Sequence, residues 1–151
     1  LAHTMTGSFT HVRLNERYAS EFLIHAYAAA SLGVPVALVS GDQGLCDEAK
    51  ELNTHIAAVA VKIGIGNSTV NIHPSLAVDR IREATAQALR SNLAQAQIEL
   101  PGRYVLELRF RDHTKAYTFG FYPGARQVDP VTVQLEADRY MDVLRALLFV
   151  P

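Results

Sequence analysis

The sequence predicts an α/β fold: a parallel-sheet α/β layer followed by an α+β portion. Three observations carry this. Residues 34–39, Val-Pro-Val-Ala-Leu-Val, are a continuous apolar run, and residues 57–63 are apolar but for Lys62 near the end, the pattern of interior strands of a parallel sheet. Helical stretches stand before and after the first of these runs, so the front of the chain reads strand-helix-strand-helix-strand. Behind it the order is helix-strand-helix-strand-helix. There, residues 104–111 alternate: Leu106, Leu108 and Phe110 oppose Val105, Glu107, Arg109 and Arg111. Alternation of that kind means one wet face, hence an antiparallel or edge strand.

Taken in order, residues 9–14 alternate enough for a strand, and Asn15-Glu16-Arg17 follows as a turn. Ser20 is placed to cap a helix over 21–32, rich in Ala and apolar enough to be buried all round, with Gly33 ending it. The run at 34–39 leads into a loop, Ser40-Gly41-Asp42, and a short helix over 45–52. After the strand at 57–63, residues 64–71 read as a polar connector. His73-Pro74-Ser75 then opens a long helix reaching about Ala96, striped by Leu76, Ile81, Ala84, Ala88 and Leu89. Pro101-Gly102 is a break. Beyond the strand at 104–111 come a short helix over 115–121, a turn at Tyr122-Pro123-Gly124-Ala125, a strand over 131–135 and a final helix to Leu148 capped by Asp138. The break divides an α/β portion, residues 1–100, from an α+β portion, residues 101–151, packed on it.

Composition narrows the function. Charged residues make up 19% of the chain, below the roughly 25% of an average soluble domain, which points to surface buried against something besides the chain's own core. The net charge is −1 and no basic stretch stands out, so nothing argues for a nucleic-acid partner. No apolar run approaches the roughly 18 residues of a membrane span. The one cysteine, Cys46, can form no disulfide within the chain, which fits a reducing, cytoplasmic setting; it reads as an ordinary helix residue.

Motifs for nucleotide phosphates, thiol chemistry and serine hydrolysis are missing: there is no GxxxxGKS, CxxC pair or GxSxG, and no HExxH. What remains is a His and a Glu among small and apolar neighbours. His3 lies in the loop Ala2-His3-Thr4-Met5-Thr6-Gly7, and Glu21 stands in the first turn of its helix. Glu21 has two readings: a carboxylate metal ligand on a rigid element, or a carboxylate stabilised by the helix dipole. His25, four residues on, shares its helix face; it can join Glu21 on a metal, orient it from behind, or be a hydrogen-bonded core histidine on a sheltered face. Ser40-Gly41-Asp42-Gln43-Gly44 is a candidate site wall at a strand end. Lys62 is either a snorkelling edge residue or an anion binder, and His73 and His113 read as loop residues. The chain opens Leu1-Ala2-His3-Thr4 without Met and reads as the C-terminal part of a larger catalytic unit.

The ordered set of segments resembles the DppA-type zinc D-aminopeptidases. It comprises His3-Thr4, Leu14-Asn15-Glu16-Arg17, Ser20-Glu21, Gly33-Val34-Pro35-Val36, Val39-Ser40-Gly41-Asp42, Ala60-Val61-Lys62, His73-Pro74, Tyr122-Pro123-Gly124-Ala125 and Val131-Thr132-Val133-Gln134. The resemblance implies an enzyme with two zinc ions that removes N-terminal D-amino acids from short peptides and assembles into a ring-like homo-oligomer around an inner chamber. It implies Glu21 as a zinc ligand and His3 as a catalytic residue beside the metals. The family's other ligands, an Asp-x-Glu on the first strand and two further His, have no counterpart here, so this chain alone keeps one ligand and is expected to be inactive. His25 stands where the family tends to have Asn, and Gln43 where an acidic residue is common. Two other functions fit the same residues: a non-catalytic ring-forming α/β module that has lost its metals, and a related metal-dependent amidase or L-peptidase.

Overall fold

Two sheets share this chain, each in its own unit: one is antiparallel throughout and the other mixed. The computed structural model describes residues 6–150. One unit is built from residues 6–31 and 100–150, the other from Leu32–Glu99. This grouping differs from a division near residue 100, because the first strand pairs with a strand from beyond that point.

In the first unit, β1 (Phe9–Leu14) and β2 (Arg17–Tyr18) form a hairpin, followed by the helix α1 (Glu21–Ser31). The second unit begins after α1 with β3 (Leu38–Asp42), α2 (Gln43–Leu52), β4 (Ala57–Ile65), β5 (Ser68–Asn71), α3 (Pro74–Arg90) and a 3-10 turn at Leu93–Ala96. The chain then returns to the first unit with β6 (Tyr104–Phe110), α4 (His113–Phe119), β7 (Ala125–Asp129), β8 (Thr132–Ala137) and α5 (Tyr140–Leu148).

The first unit is an antiparallel sheet in the order β2-β1-β6-β8-β7. The mixed α/β class is as expected, but β1 does not join the parallel layer. Its His11 and Arg13 alternate with buried Val12 and Leu14, so it has one wet face, and it pairs antiparallel with β6 in the register Val12↔Leu108 and Leu14↔Leu106. The alternation read in β6 holds: Tyr104, Leu106, Leu108 and Phe110 are all buried. Phe110 packs on Phe119 of α4 and Tyr104 on Tyr140 of α5, so α4 and α5 cover this face, and α1 packs against α5. The turn at Tyr122–Ala125 is closed by Ala125 N donating to the Tyr122 carbonyl at 2.8 Å, with Gly124 at φ 84, where a side chain would be strained. Beyond it β7 forms, where no strand was read: only Ala125 and Asp129 of its residues are even half-buried, so it lacks an apolar pattern. Asp138 does not cap α5; Arg139 holds that position without a side-chain cap bond.

Asn15 and Glu16 both have positive φ, 49° and 66°, as a two-residue hairpin turn demands. Asn15 is held there from three sides: its N–H and its Oδ1 bond the Val105 carbonyl and N–H at 2.9 and 2.7 Å, and its Nδ2 donates to Arg103 O at 2.8 Å. Glu16 has no such compensation for its left-handed backbone, so Glu16→Gly is expected to raise stability by about 0.5–1 kcal/mol, read from the urea midpoint.

Tyr140 ties α5 to α1. Its hydroxyl donates to the Ile24 carbonyl at 2.7 Å in a buried setting, and burial holds its pKa far above the ordinary value of 10.0. The folded chain therefore keeps this proton after the unfolded chain has lost it. The stability involved is intact below about pH 10 and falls as pH rises beyond it. Tyr140→Phe is expected to cost about 1 kcal/mol at neutral pH and to flatten the alkaline limb of a stability-versus-pH curve.

The second unit holds the sheet β3-β4-β5. Here β3 and β4 run parallel, Leu38↔Ala57 to Gly41↔Ala60, joined through α2. The strand begins four residues later than the apolar run suggested, because Gly33 and Pro35 punctuate its start and Pro35 has no N–H to give a ladder. It is half-buried throughout, because it forms the sheet's edge. Residues 64–71 are not a connector: β4 continues to Ile65 and turns at Gly66-Asn67 into β5, pairing Ile63↔Val70 and Ile65↔Ser68. The helix α3 stops at Arg90, where Ser91 takes the C-cap. Asn53 closes this unit by donating from Nδ2 to the carbonyls of Gln95 and Gln97 at 2.8 and 3.0 Å. Among the described residues no helix is long and apolar enough to cross a membrane.

Candidate functional site

Glu21 opens α1. Ser20 starts the helix as expected: its Oγ accepts from Leu23 N at 3.1 Å and its carbonyl from Ile24 N at 3.0 Å. The Glu21 carboxylate therefore stands in the first turn, where the helix dipole favours negative charge. The residue is half-buried. Leu23, Ile24, Ala26 and Ala30 bury the inner side of α1, and the Tyr140 bond to Ile24 fixes the helix one turn on. A carboxylate placed this way is a suitable oxygen donor for zinc.

His25 is brought beside Glu21, but not as a sheltered core histidine. It is exposed, and its Nδ1 lies 2.7 Å from the Glu21 backbone carbonyl. A carbonyl only accepts, so Nδ1 carries the proton and Nε2 is left outward. The ring is anchored to the backbone of Glu21 rather than to its carboxylate. The small side chains Ala26, Ala28, Ala29 and Ala30 around it make the local sequence apolar without covering this face. His3 lies outside the described residues.

The other candidates have structural duties. Asp42 accepts from Leu45 N at 2.9 Å and caps α2. Residues 40–44 are thus the end of β3 and the start of α2 rather than a loop, and Gln43 bonds Asp47 at 2.8 Å. His73 caps α3 through Ser75 N. His113 has a largely exposed side chain beside Asp112, and Lys62 is exposed on β4. Burial raises the Cys46 thiol pKa, as suits an inert helix residue.

Among the described residues no group of three His, Cys, Asp or Glu side chains comes together to hold a metal. Zinc takes four ligands, of which a catalytic site keeps three from protein. Glu21 fits one such position, and the described residues do not close a zinc site by themselves.

Sequence reasoning missed one arrangement. On the sheet face away from α4 and α5, a polar row runs straight across all five strands of the first unit. Arg13 donates to Tyr18 Oη at 3.0 Å and lies 3.8 Å from Glu107; Gln134 donates to Glu107 at 3.0 Å, and Arg126 to Gln134 at 3.0 Å. His11 Nε2 stands 3.4 Å from the same Glu107. An open depression of about 730 Å³ lies over it, lined by Arg13, Asn15, Glu16, Arg103, Val105, Glu107 and Gln134. The signal was present as the odd-numbered polar positions of β1 and β6, but strand order was needed to align them. Arg13 pairs with Glu107, and Arg126 is hydrogen-bonded to the Gln134 amide, so the row itself acts as a cross-strand brace.

A family model described as D-aminopeptidase, of the M55 peptidases, matches residues 1–149. A D-aminopeptidase of Bacillus subtilis (strain 168) is 31% identical over 150 residues, covering 98% of this chain and 55% of the relative. Among solved structures, the chain is similar to the Zn-dependent D-aminopeptidase DppA from Bacillus subtilis, a self-compartmentalizing protease. The TM-score is 0.86 at 28% sequence identity, over 98% of this chain and 55% of that one. The chain thus spans about half the length of the relatives it matches.

Proposed function

This chain belongs to the M55 family of D-aminopeptidases, and from that premise we propose that the protein is a zinc-dependent aminopeptidase releasing N-terminal D-amino acids from short peptides. The observation that supports this most is the end-to-end match of residues 1–149 to the family. In this reading Glu21 holds zinc, and its position in the first turn of a helix fixed by α5 keeps the carboxylate from swinging away. His25, tied to the Glu21 carbonyl, stiffens the same turn. His3 gives a proton to the leaving amine or stabilises the oxyanion. Zinc, two ions per chain in this proposal, would be held in part by Glu21 and would supply Lewis-acid polarisation of the scissile carbonyl and activation of water. The remaining zinc ligands come from outside the described residues, so residues 6–150 taken alone are expected to turn over no substrate.

Self-association into a ring-like homo-oligomer belongs to the same proposal, supported by the self-compartmentalizing DppA neighbour and by the low charge content of 19%. A reducing, cytoplasmic location goes with a single free cysteine. The test is zinc per chain by elemental mass spectrometry on the native protein, with hydrolysis of paired D- and L-aminoacyl amides. About two zincs and a D-preference are expected. A metal-free protein that takes up no added zinc sinks the enzyme reading in favour of an assembly module. Turnover of L-substrates alone moves it to a different peptidase.

A further inference from the structure

The hairpin of β4 and β5 is an arm. Every residue from 62 to 71 is exposed, so both faces of the two paired strands stand in water. Such a hairpin is marginal without a covering layer. The register makes it two-faced: Ile63 pairs with Val70 and Ile65 with Ser68, while Lys62 and Asn71, Gly64 and Thr69 fall on the opposite side. Ile63, Ile65 and Val70 are 53%, 60% and 59% exposed. Three β-branched residues therefore share one uncovered face. The outer edge of β5 carries neither proline nor charge, the devices that usually guard a free edge.

We infer that the apolar face of this arm packs on the same arm of a second copy of the chain. The inference rests on the self-association just proposed and names one surface of it: arm meeting arm is a two-fold contact that pairs copies, and ring closure falls to a separate head-to-tail interface. Charge selects the occupant. Residues 63–71, Ile-Gly-Ile-Gly-Asn-Ser-Thr-Val-Asn, hold no charged side chain. Lys62, the arm's one charge, lies on the opposite side, so the apolar face offers a charged partner nothing to pair with and meets its own copy without like-charge repulsion. Area agrees. Three side chains at these exposures present roughly 300 Å² of apolar surface, the size of patch that is often functional on a monomer. Two arms together present roughly 600 Å², close to the apolar share of an interface of about 1,200 Å².

The test is analytical ultracentrifugation of the native protein and of an Ile63→Lys, Val70→Lys double variant, with zinc content and far-UV circular dichroism measured on both. The expected result is an oligomeric parent and a variant of smaller mass, with zinc and secondary structure retained. A folded variant of parental mass overturns the arm while leaving self-association standing. A parent that sediments as one chain overturns self-association, and the arm with it. Should the variant misfold, hydrogen exchange on the parent decides. Amides of residues 62–71 are expected to gain protection as concentration rises through the assembly range. Protection independent of concentration, as when the arm is covered by its own polypeptide, overturns the inference.

Discussion

Glu21→Ala is expected to remove zinc and activity together, while His3→Ala keeps the metal and loses turnover. Glu21 stands at the head of α1, and the family resemblance implies a helix-borne zinc ligand at that position. If the carboxylate served only the helix dipole, its loss would cost about 0.3–1 kcal/mol and leave any metal in place. If it is a ligand, kcat/KM falls by about 100-fold or more, and zinc falls with it. Measuring zinc, kcat/KM and the urea midpoint on the same preparation separates the two. The pair of variants is sharper than either alone: parental turnover in both would leave neither residue in the chemistry. His25→Asn is the natural control, since it removes only the bond from Nδ1 to the Glu21 carbonyl.

The second large effect is structural. Phe110→Ala is expected to cost about 3–5 kcal/mol and to lower Tm by about 10 °C or more. Phe110 is 1% exposed. Its ring meets Phe9 of β1 edge-on at 5.0 Å and Phe119 of α4 at 5.9 Å. It therefore joins two strands and a helix drawn from both ends of the sequence, and few small rearrangements can fill the space it leaves. A loss below about 1 kcal/mol would mean that α4 collapses onto the sheet, and the account of this core would be wrong.

Much of this fold was legible from the sequence, and the parts that were not share a cause. Local signals read well: Ser20 before α1, Tyr122-Pro123-Gly124 as a turn, and the alternation of β6. The partner of each strand read poorly, because pairing is not a local property. The polar positions of β1, His11 and Arg13, already said that it has one wet face, yet the strand-helix-strand order drew it into a parallel layer. The Gly66-Asn67 turn carried a hairpin signature between Ile65 and Ser68-Thr69-Val70, and Gly64 and Gly66 in quick succession masked it as a connector. β7 had no apolar pattern to find. For the site, Glu21 and its cap were visible in one segment, whereas the exposure of His25 depended on which side of α1 meets α5. The duty of Asp42 as a helix cap came from the true start of α2 at Gln43, two residues before the start read from sequence, and that of His73 from its side chain accepting from Ser75 N at a helix start read correctly.

The interruption of the first unit by Leu32–Glu99 bears on how the molecule forms. β1 and β6 are sheet neighbours, with Phe9 set against Phe110, yet the whole second unit is synthesised between them. Contact order for that pair is high, and the entropy of closing so long a loop opposes early pairing. The contacts of Leu32–Glu99 are closer in sequence, so this unit can fold first and draw the ends of the loop together. On the ribosome β1 must wait, with its apolar side open, until residues 104–110 emerge. That interval is where misassembly and chaperone capture would concentrate.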